Sequence, residues 1–373
     1  MSVTVSETLF INTDAYYDAL LRDIGQAQTS IDIELFKFSS DLLGQRFATA
    51  LINAAHRGVK IRVLVDGIGS HYWGGALTED LEKAGIKTRI YHPIPFLKSH
   101  RERSATPLNS WKKILLAFLK LNQRNHRKWF FLDHKIIYLG SMNIAAKHLS
   151  RSRGGKSWRD VGVRLEGKDF LSVADIFEQS WNETPMLWSP YRWNTPVRTM
   201  RRRWHPAQLQ EGHLLRTIAR SRRRIWLASA YFIPDRRIMN HLMRASKQGI
   251  DVRILIPEKS DVYLISSVTR FFYRKLIEKG VHIHEYEPGM LHSKTWIVDD
   301  EVLIGSSNCN HRSVLHDLEA DVFLSKTKNK RRVIKQYIKD LKKSHEVKLD
   351  LLKKTPYIKR LFRAIISRFK YYC

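Results

Sequence analysis

HRKWFFLDHKIIYLGSMN, residues 126–143, and HSKTWIVDDEVLIGSSN, residues 292–308, decide how this chain folds. Each begins with histidine, places lysine two positions on and aspartate seven positions on, and closes on Gly-Ser-x-Asn. The sequence before each stretch repeats as well. Strand 30–38, a helix ending at Arg57-Gly58, strand 59–65, a helix ending at Ala84-Gly85 and strand 86–91 precede the first. Strand 224–232, a helix ending at Gln248-Gly249, strand 250–256, a helix ending at Lys279-Gly280 and strand 281–286 precede the second. Each glycine follows the last periodic helical residue, where a left-handed C-cap is favoured. Strands alternating with helices, written twice, predict an α/β fold of two similar lobes. The expected boundaries are a first lobe over 1–185, a basic aromatic linker over 186–212, a second lobe over 213–325 and a basic helical tail over 326–373.

The spacing inside each stretch has a physical reading. Residues 126–132 and 134–139 form a predicted hairpin turning at Asp133. Alternate residues of a strand share a face, so His126 and Lys128 point into one site. Ser141 and Asn143 leave the second strand on one face by the same rule. Asp133 has the opposite parity and sits at the turn. Parity therefore favours a hairpin-holding role for it, although it belongs to the same motif as the catalytic candidates His126 and Lys128. His292, Lys294, Asp299, Ser306 and Asn308 repeat the pattern. Two such faces brought together would set two histidines on either side of one anion.

The chain has 373 residues, 43% of them apolar, with 65 Lys/Arg against 36 Asp/Glu and only two cysteines. That excludes a disordered chain and a disulfide scaffold. No run of 18 apolar residues suggests a membrane span, and no secretion signal is expected at the N-terminus. The charge of +29 is concentrated. Residues 97–125 carry +6, 186–205 carry +5 and 326–373 carry +14, leaving +4 for the other 276 residues. Such charge calls for nucleic acid or an anionic membrane as partner.

The doubled motif resembles the signature of the phospholipase D superfamily. Within it, the chain is most similar to bacterial cardiolipin synthases that lack N-terminal transmembrane helices. Further likeness lies in DLLGQRFATAL at 41–51, RGVKIRVLVDGIGS at 57–70, WRDVGVRLEG at 158–167, AYFIPD at 230–235 and SSNCNHRSVLHDLEADV at 306–322. Asp317 stands where that group commonly has Asn. The resemblance implies two lobes, each a mixed β-sheet flanked by helices, with one shared active site. It implies that one histidine attacks a lipid phosphorus and becomes a phosphohistidine, while the other protonates the leaving alcohol. Lys128, Lys294, Asn143 and Asn308 would hold the phosphoryl oxygens, with Ser141 and Ser306 beside them. Asp160 would serve His126, and Glu319 would serve His292, as carboxylate partners. In much of the superfamily the N-terminal histidine is the nucleophile, which points to His126, though near-identical motifs leave the choice open. No cofactor and no metal is implied, and no Asp/Glu cluster of the kind Mg²⁺ or Ca²⁺ requires is evident.

The basic segments fit an interfacial role. LNSWKKILLAFLKL at 108–121 sets Trp111, Ile114, Leu115, Phe118 and Leu119 at helical spacing with lysines elsewhere on the wheel. It lies in an insertion, 97–125, found only in the first half. Residues 356–370 repeat the combination after Pro356. The expected partner is an anionic phospholipid, phosphatidylglycerol, met peripherally on the cytoplasmic side of the cell membrane, with no nucleic acid. A hydrolase, a transferase using another alcohol, a nuclease of the same superfamily and a non-enzymatic membrane binder are the competing readings. Oligomeric state is not legible.

Overall fold

The computed structural model describes residues 5–105, 110–120, 122–167, 170–183, 197–200 and 208–353. The first half builds β1 (Ser6–Phe10), β2 (Ser30–Leu35), β3 (Lys60–Asp66), β4 (Lys87–Tyr91), β5 (Lys128–Leu132), β6 (Ile136–Gly140) and β7 (Gly162–Glu166) into one sheet. Their order is β1-β7-β6-β5-β2-β3-β4. The second half builds β8 (Val197–Met200), β9 (Arg224–Ala228), β10 (Asp251–Pro257), β11 (His282–Tyr286), β12 (Thr295–Val298), β13 (Glu301–Gly305), β14 (Glu319–Phe323) and β15 (Ser344–Glu346). Their order is β15-β11-β10-β9-β12-β13-β14-β8. In each sheet three strands run parallel, β2-β3-β4 and β9-β10-β11, and the motif hairpin continues the sheet antiparallel. Both sheets are mixed, as expected.

Helices α1 (Thr13–Gln26), α2 (Leu42–His56) and α3 (Ala76–Lys83) belong to the first lobe, α4 (Lys98–Glu102) and α5 (Trp111–Lys120) to the insertion. After them come α6 (Leu171–Trp181), α7 (Gln208–Ala219), α8 (Arg236–Lys247), α9 (Tyr263–Ile277), α10 (His311–Leu315), α11 (Thr327–Leu341) and α12 (Leu349–Lys353). Local chemistry sets the boundaries. Asp41 caps α2 by accepting the N–H groups of Leu43 and Gly44, and Asp235 caps α8 through Ile238 at 2.7 Å. Gly58 (φ +91°) and Gly249 (φ +82°) end these helices in the left-handed conformation read from the sequence.

Three large cores give the layering. One joins α1 and α2 to the outer face of the first sheet, and another joins α8 and α9 to the outer face of the second. The third lies between the sheets: Trp129, Phe131 and Leu139 of the first half meet Trp226, Ile297 and Val322 of the second. The molecule is thus helix, sheet, sheet, helix, with the inner layer shared. Strand parity produces this. Along β5, Phe130 and Leu132 enter the outer core while Trp129 and Phe131 enter the inner one.

Two boundaries are corrected. Part of the segment read as linker, Val197–Met200, is β8, an edge strand paired with β14. The segment read as a tail is built into the fold as far as it is described. Val333 and Tyr337 of α11 enter the inner core, the Tyr337 hydroxyl reaches the carbonyls of Leu227 and Arg253, and Asp340 pairs with Arg159 of the first lobe. The apolar-basic stretch 356–370 and the Trp-rich part of the linker lie outside the described residues.

The hairpin turns place the motif aspartates. Asp133 (φ +50°) accepts backbone N–H groups from Gln28, Thr29 and Ser30, tying the hairpin corner to the start of β2. Asp299 does the same with Arg222, Arg223 and Arg224 before β9. Grouping these two with the catalytic residues is therefore corrected: they staple the hairpins, as parity indicated. Asp133→Asn is expected to lower unfolding free energy by about 1–2 kcal/mol while leaving kcat within about twofold. Urea titration together with turnover checks this, and a collapse of kcat in folded protein would contradict it.

Candidate active site

Each motif histidine starts at a point where one lobe hydrogen-bonds to the other. The His126 N–H donates to the Leu318 carbonyl at 2.9 Å, and the Leu318 N–H to the Arg124 carbonyl at 2.9 Å. In mirror fashion the His292 N–H donates to the Arg159 carbonyl at 2.8 Å, and the Arg159 N–H to the Met290 carbonyl at 2.9 Å. These short parallel bridges place each histidine beside the residue after the bridge on the opposite lobe. Those residues are Glu319 and Asp160.

The carboxylate pairing is consequently crossed. His126 Nδ1 lies 2.9 Å from Glu319 Oε1, and His292 Nδ1 lies 2.9 Å from Asp160 Oδ1. The expectation that Asp160 serves His126 and Glu319 serves His292 is corrected. Each histidine takes its partner from the other half of the chain. Both carboxylates are fully buried, and His126 and His292 are 12% and 5% exposed.

Both lysines curl back in the same way. Lys128 Nζ donates to the His126 carbonyl and Lys294 Nζ to the His292 carbonyl, each at 2.6 Å. The Lys128 ammonium feels that of Lys294, and both feel Asp160 and Glu319, so the two motifs converge on one centre. Burial pushes Lys128 down to about 7 and Lys294 to about 8, with the buried carboxylates opposing it. Asn143 and Asn308 are fixed through their side-chain oxygens, which accept the N–H groups of Lys37 (3.1 Å) and Tyr231 (3.3 Å). This leaves their NH₂ groups as the donors able to meet an anion.

The two serines turn to the carboxylates. Ser141 Oγ donates to Asp160 and Ser306 Oγ to Glu319, each at 2.5 Å. Of the two roles open to these phosphate-site candidates, bonding the phosphoryl oxygens or supporting the surrounding shell, the hydrogen bonds fit the second: they orient the carboxylates. Two further residues complete these clamps and were not picked out from the sequence. His148 Nδ1 lies 2.6 Å from Asp160 Oδ2, and Ser313 Oγ donates to Glu319 Oε1 at 2.6 Å. Each stands five residues past the Asn of its Gly-Ser-x-Asn, and that regularity in the repeat is the signal that could have revealed them. Among the described residues, His148, Asp160 and His292 are the one group of His, Cys, Asp or Glu with ligand atoms close enough to hold a metal ion. Their facing Nδ1 and carboxylate atoms already hydrogen-bond to one another.

The two halves are therefore electrostatically unequal. Burial pushes the Glu319 carboxyl up to about 7, against the pull of Lys128 and two serines. Burial acts on Asp160 too, but the imidazoles of His292 and His148 outweigh it and hold it well below the usual carboxylate range. Burial lowers both motif histidines well below their ordinary value. Lys128 and Lys294 lower His126 further, against a smaller pull from Asp317, and at His292 Lys294 also lowers while Asp160 opposes the fall through both charge and hydrogen bond. Burial favours the neutral imidazole at both, with the hydrogen on Nδ1 facing the carboxylate, while at His292 the Asp160 carboxylate opposes burial and supports the imidazolium. Asp317, at the position where Asn was noted as common, accepts the Arg124 N–H and pairs with Arg312, fastening the insertion's end to the second lobe.

These values predict a bell-shaped kcat/KM for an anionic phosphodiester. Below about 7, protonation of Glu319 removes the anion behind His126. Above about 7 to 8, the lysines lose the charge that draws the substrate in. A profile flat from roughly pH 6 to 9 would contradict the assignment.

Comparison with known proteins places this geometry. The family profile described as "Cardiolipin synthase, PLD-like domain" matches residues 20–181 and 214–344. Cardiolipin synthase 2 of Bacillus anthracis is 32% identical over 371 residues, covering 95% of this chain and 68% of that protein. A cardiolipin synthase of Alkalihalophilus pseudofirmus is 29% identical over 366 residues, covering 93% and 68%. Cardiolipin synthase B of Salmonella typhimurium is 30% identical over 332 residues, covering 85% and 75%. Among solved structures, the phosphatidylserine synthase of Haemophilus influenzae shares the fold at 12% identity. Its TM-score is 0.68, over 98% of this chain and 93% of that one.

Proposed function

Because the chain belongs to the cardiolipin synthase family of phospholipase D-like proteins, we propose that it joins two phosphatidylglycerol molecules into cardiolipin and glycerol. The observation that carries this reading is the crossed pair of histidine–carboxylate units converging on two lysines at one buried centre.

The first step places the donor phosphate between the histidines, its oxygens on Lys128, Lys294 and the NH₂ groups of Asn143 and Asn308. We take His126 as nucleophile, since burial and two lysines favour its neutral form, while at His292 the Asp160 carboxylate works against burial and Lys294 in favour of the imidazolium. The His126 Nε2 lone pair forms a P–N bond as the P–O bond to glycerol breaks. His292 enters this step as the imidazolium, supported by Asp160 and by the negative charge of the bound donor phosphate, and passes its Nε2 proton to the departing oxygen, becoming neutral. In the second step His292 accepts the proton of the incoming lipid's hydroxyl. That oxygen attacks phosphorus, the P–N bond breaks and its electron pair returns to His126. Atoms and charge balance without water.

Membrane contact is supported by exposed apolar side chains in the insertion that precedes His126 and on loops of the first lobe. Trp111, Leu115 and Phe118 of α5 are 69%, 51% and 47% exposed, beside Lys112 and Lys113. Tyr72 (78%), Phe96 (72%) and Ile68 stand on neighbouring loops. The Ile68–Tyr72 loop hydrogen-bonds to the Phe36 carbonyl, and the Phe36 ring packs 5.1 Å from His126. Among the described residues no helix is long and apolar enough to cross a membrane. The surface fits a peripheral binder whose aromatic groups enter the headgroup layer and whose lysines meet anionic lipid.

Two experiments test this. Purified protein given phosphatidylglycerol vesicles should release cardiolipin and glycerol, read by mass spectrometry. His126→Ala and His292→Ala should each lower turnover by roughly a thousandfold or more. Phosphatidic acid as sole product would favour the hydrolase reading, and a phosphatidyl adduct trapped on His292 would reverse the two roles. Replacing Trp111 and Phe118 together by Ala should weaken binding to anionic vesicles by about tenfold. Unchanged sedimentation with vesicles would remove α5 from the membrane face.

A further inference from the structure

Beside the catalytic centre lies a charged cluster that no step above employs. Lys147, in the 3₁₀ turn Ala146–His148, holds its Nζ 3.8 Å from the Trp158 ring. The Trp158 ring centroid is in turn 5.1 Å from that of His292. Across the seam, Lys147 Nζ lies 3.4 Å from Asp261 Oδ2, while Asp261 Oδ1 accepts the Tyr231 hydroxyl at 2.7 Å. Burial depresses Lys147, Asp261 opposes this, and Lys37 adds a second positive charge near enough to depress it a little more. The Lys37 backbone N–H anchors Asn143. Lys147 and Asp261 are each 28% exposed, so the cluster is open to a ligand.

The repeat supplies an internal comparison. Position for position after Gly-Ser-x-Asn, the second-half equivalent of Lys147 is Arg312. Arg312 is committed: two of its nitrogens hold Asp317 at 3.3 and 3.2 Å, and a third reaches Asn122 at 3.1 Å. Lys147 has one long contact to a carboxylate whose other oxygen is satisfied by Tyr231. An ammonium so placed can exchange that contact for a phosphate at little cost, and charge-assisted bonds to phosphate are among the stronger ones.

We propose that Lys147, seconded by Lys37, binds the phosphate of the acceptor lipid. The inference rests on the reading that the acceptor is itself a phospholipid. A donor lipid has one phosphate, and the histidines occupy it. A second phosphate enters only with the acceptor, joined to the reacting hydroxyl by a three-carbon glycerol. Lys147 stands one indole ring away from His292, the residue that takes the proton from that hydroxyl. Water and simple alcohols have no phosphate to offer this subsite, so it selects for lipid over water at the step where the product is decided.

The test sets two soluble acceptors in competition. Full-length protein acts on phosphatidylglycerol vesicles with deuterated glycerol and glycerol phosphate both present, and the transfer products are separated by mass. The wild type should favour glycerol phosphate. Lys147→Gln should lower that preference by about tenfold while transfer to glycerol persists, and Lys147→Arg should restore most of it. Retained transfer to glycerol also shows that the variant is folded. An unchanged preference in Lys147→Gln overturns the proposal, as does an equal fall in both products, which would make Lys147 a support of the centre. A wild type that discriminates between the two acceptors yet forms no cardiolipin would sink the synthase reading and leave the subsite standing.

Discussion

Two buried carboxylates, each bonded to the imidazole of the opposite lobe, are the constraint on which the rest of this structure depends. An ionised carboxylate withdrawn from water is costly unless charge and hydrogen bonds surround it. Glu319 has Ser306, Ser313, His126 and the Lys128 ammonium. Asp160 has Ser141, His148 and His292. In each set one imidazole comes from across the seam. Neither lobe satisfies its own acid alone, so the shared apolar layer and the interlobe backbone bridges are part of the active site's construction.

The same crossing gives the site its asymmetry. The sequence repeat delivers two near-identical hairpins, but the residue five positions beyond each Asn differs. A histidine there joins His292 in holding Asp160 well below the usual carboxylate range, whereas a serine leaves Glu319 raised to about 7 by burial. On the proposed two-step displacement one imidazole would carry a proton while the other serves as nucleophile, and this inequality suits that division of roles.

Much of this was legible in the sequence. The period-two logic that aimed His126 and Lys128 at one site is realised in β5, and the same logic excluded Asp133 from it. The helix-ending glycines marked the α/β repeat. The resemblance to the phospholipase D superfamily supplied the two-lobed architecture, which the spacing alone could only suggest. What could not be read was which carboxylate meets which histidine. Separations of 34 and 27 residues within a half looked natural, yet docking brings residues 193 and 132 positions apart into contact. Nor could the role of the serines be read, for a related reason: a hydroxyl beside a carboxylate is claimed by it before any substrate arrives. β8 escaped notice because four residues within a basic, aromatic stretch carry no periodic signature, and only pairing with β14 makes them a strand.

The position of α11 bears on when the protein becomes capable of chemistry. That helix begins more than three hundred residues from the N-terminus, and its Val333 and Tyr337 help to fill the layer between the sheets. A ribosome that has delivered the first lobe has made His126 without its acid and Asp160 without its motif histidine. The complement arrives only with the last quarter of the chain. A nascent first lobe therefore carries both groups without their cross-lobe partners, and the centre is assembled only when the second lobe folds against it.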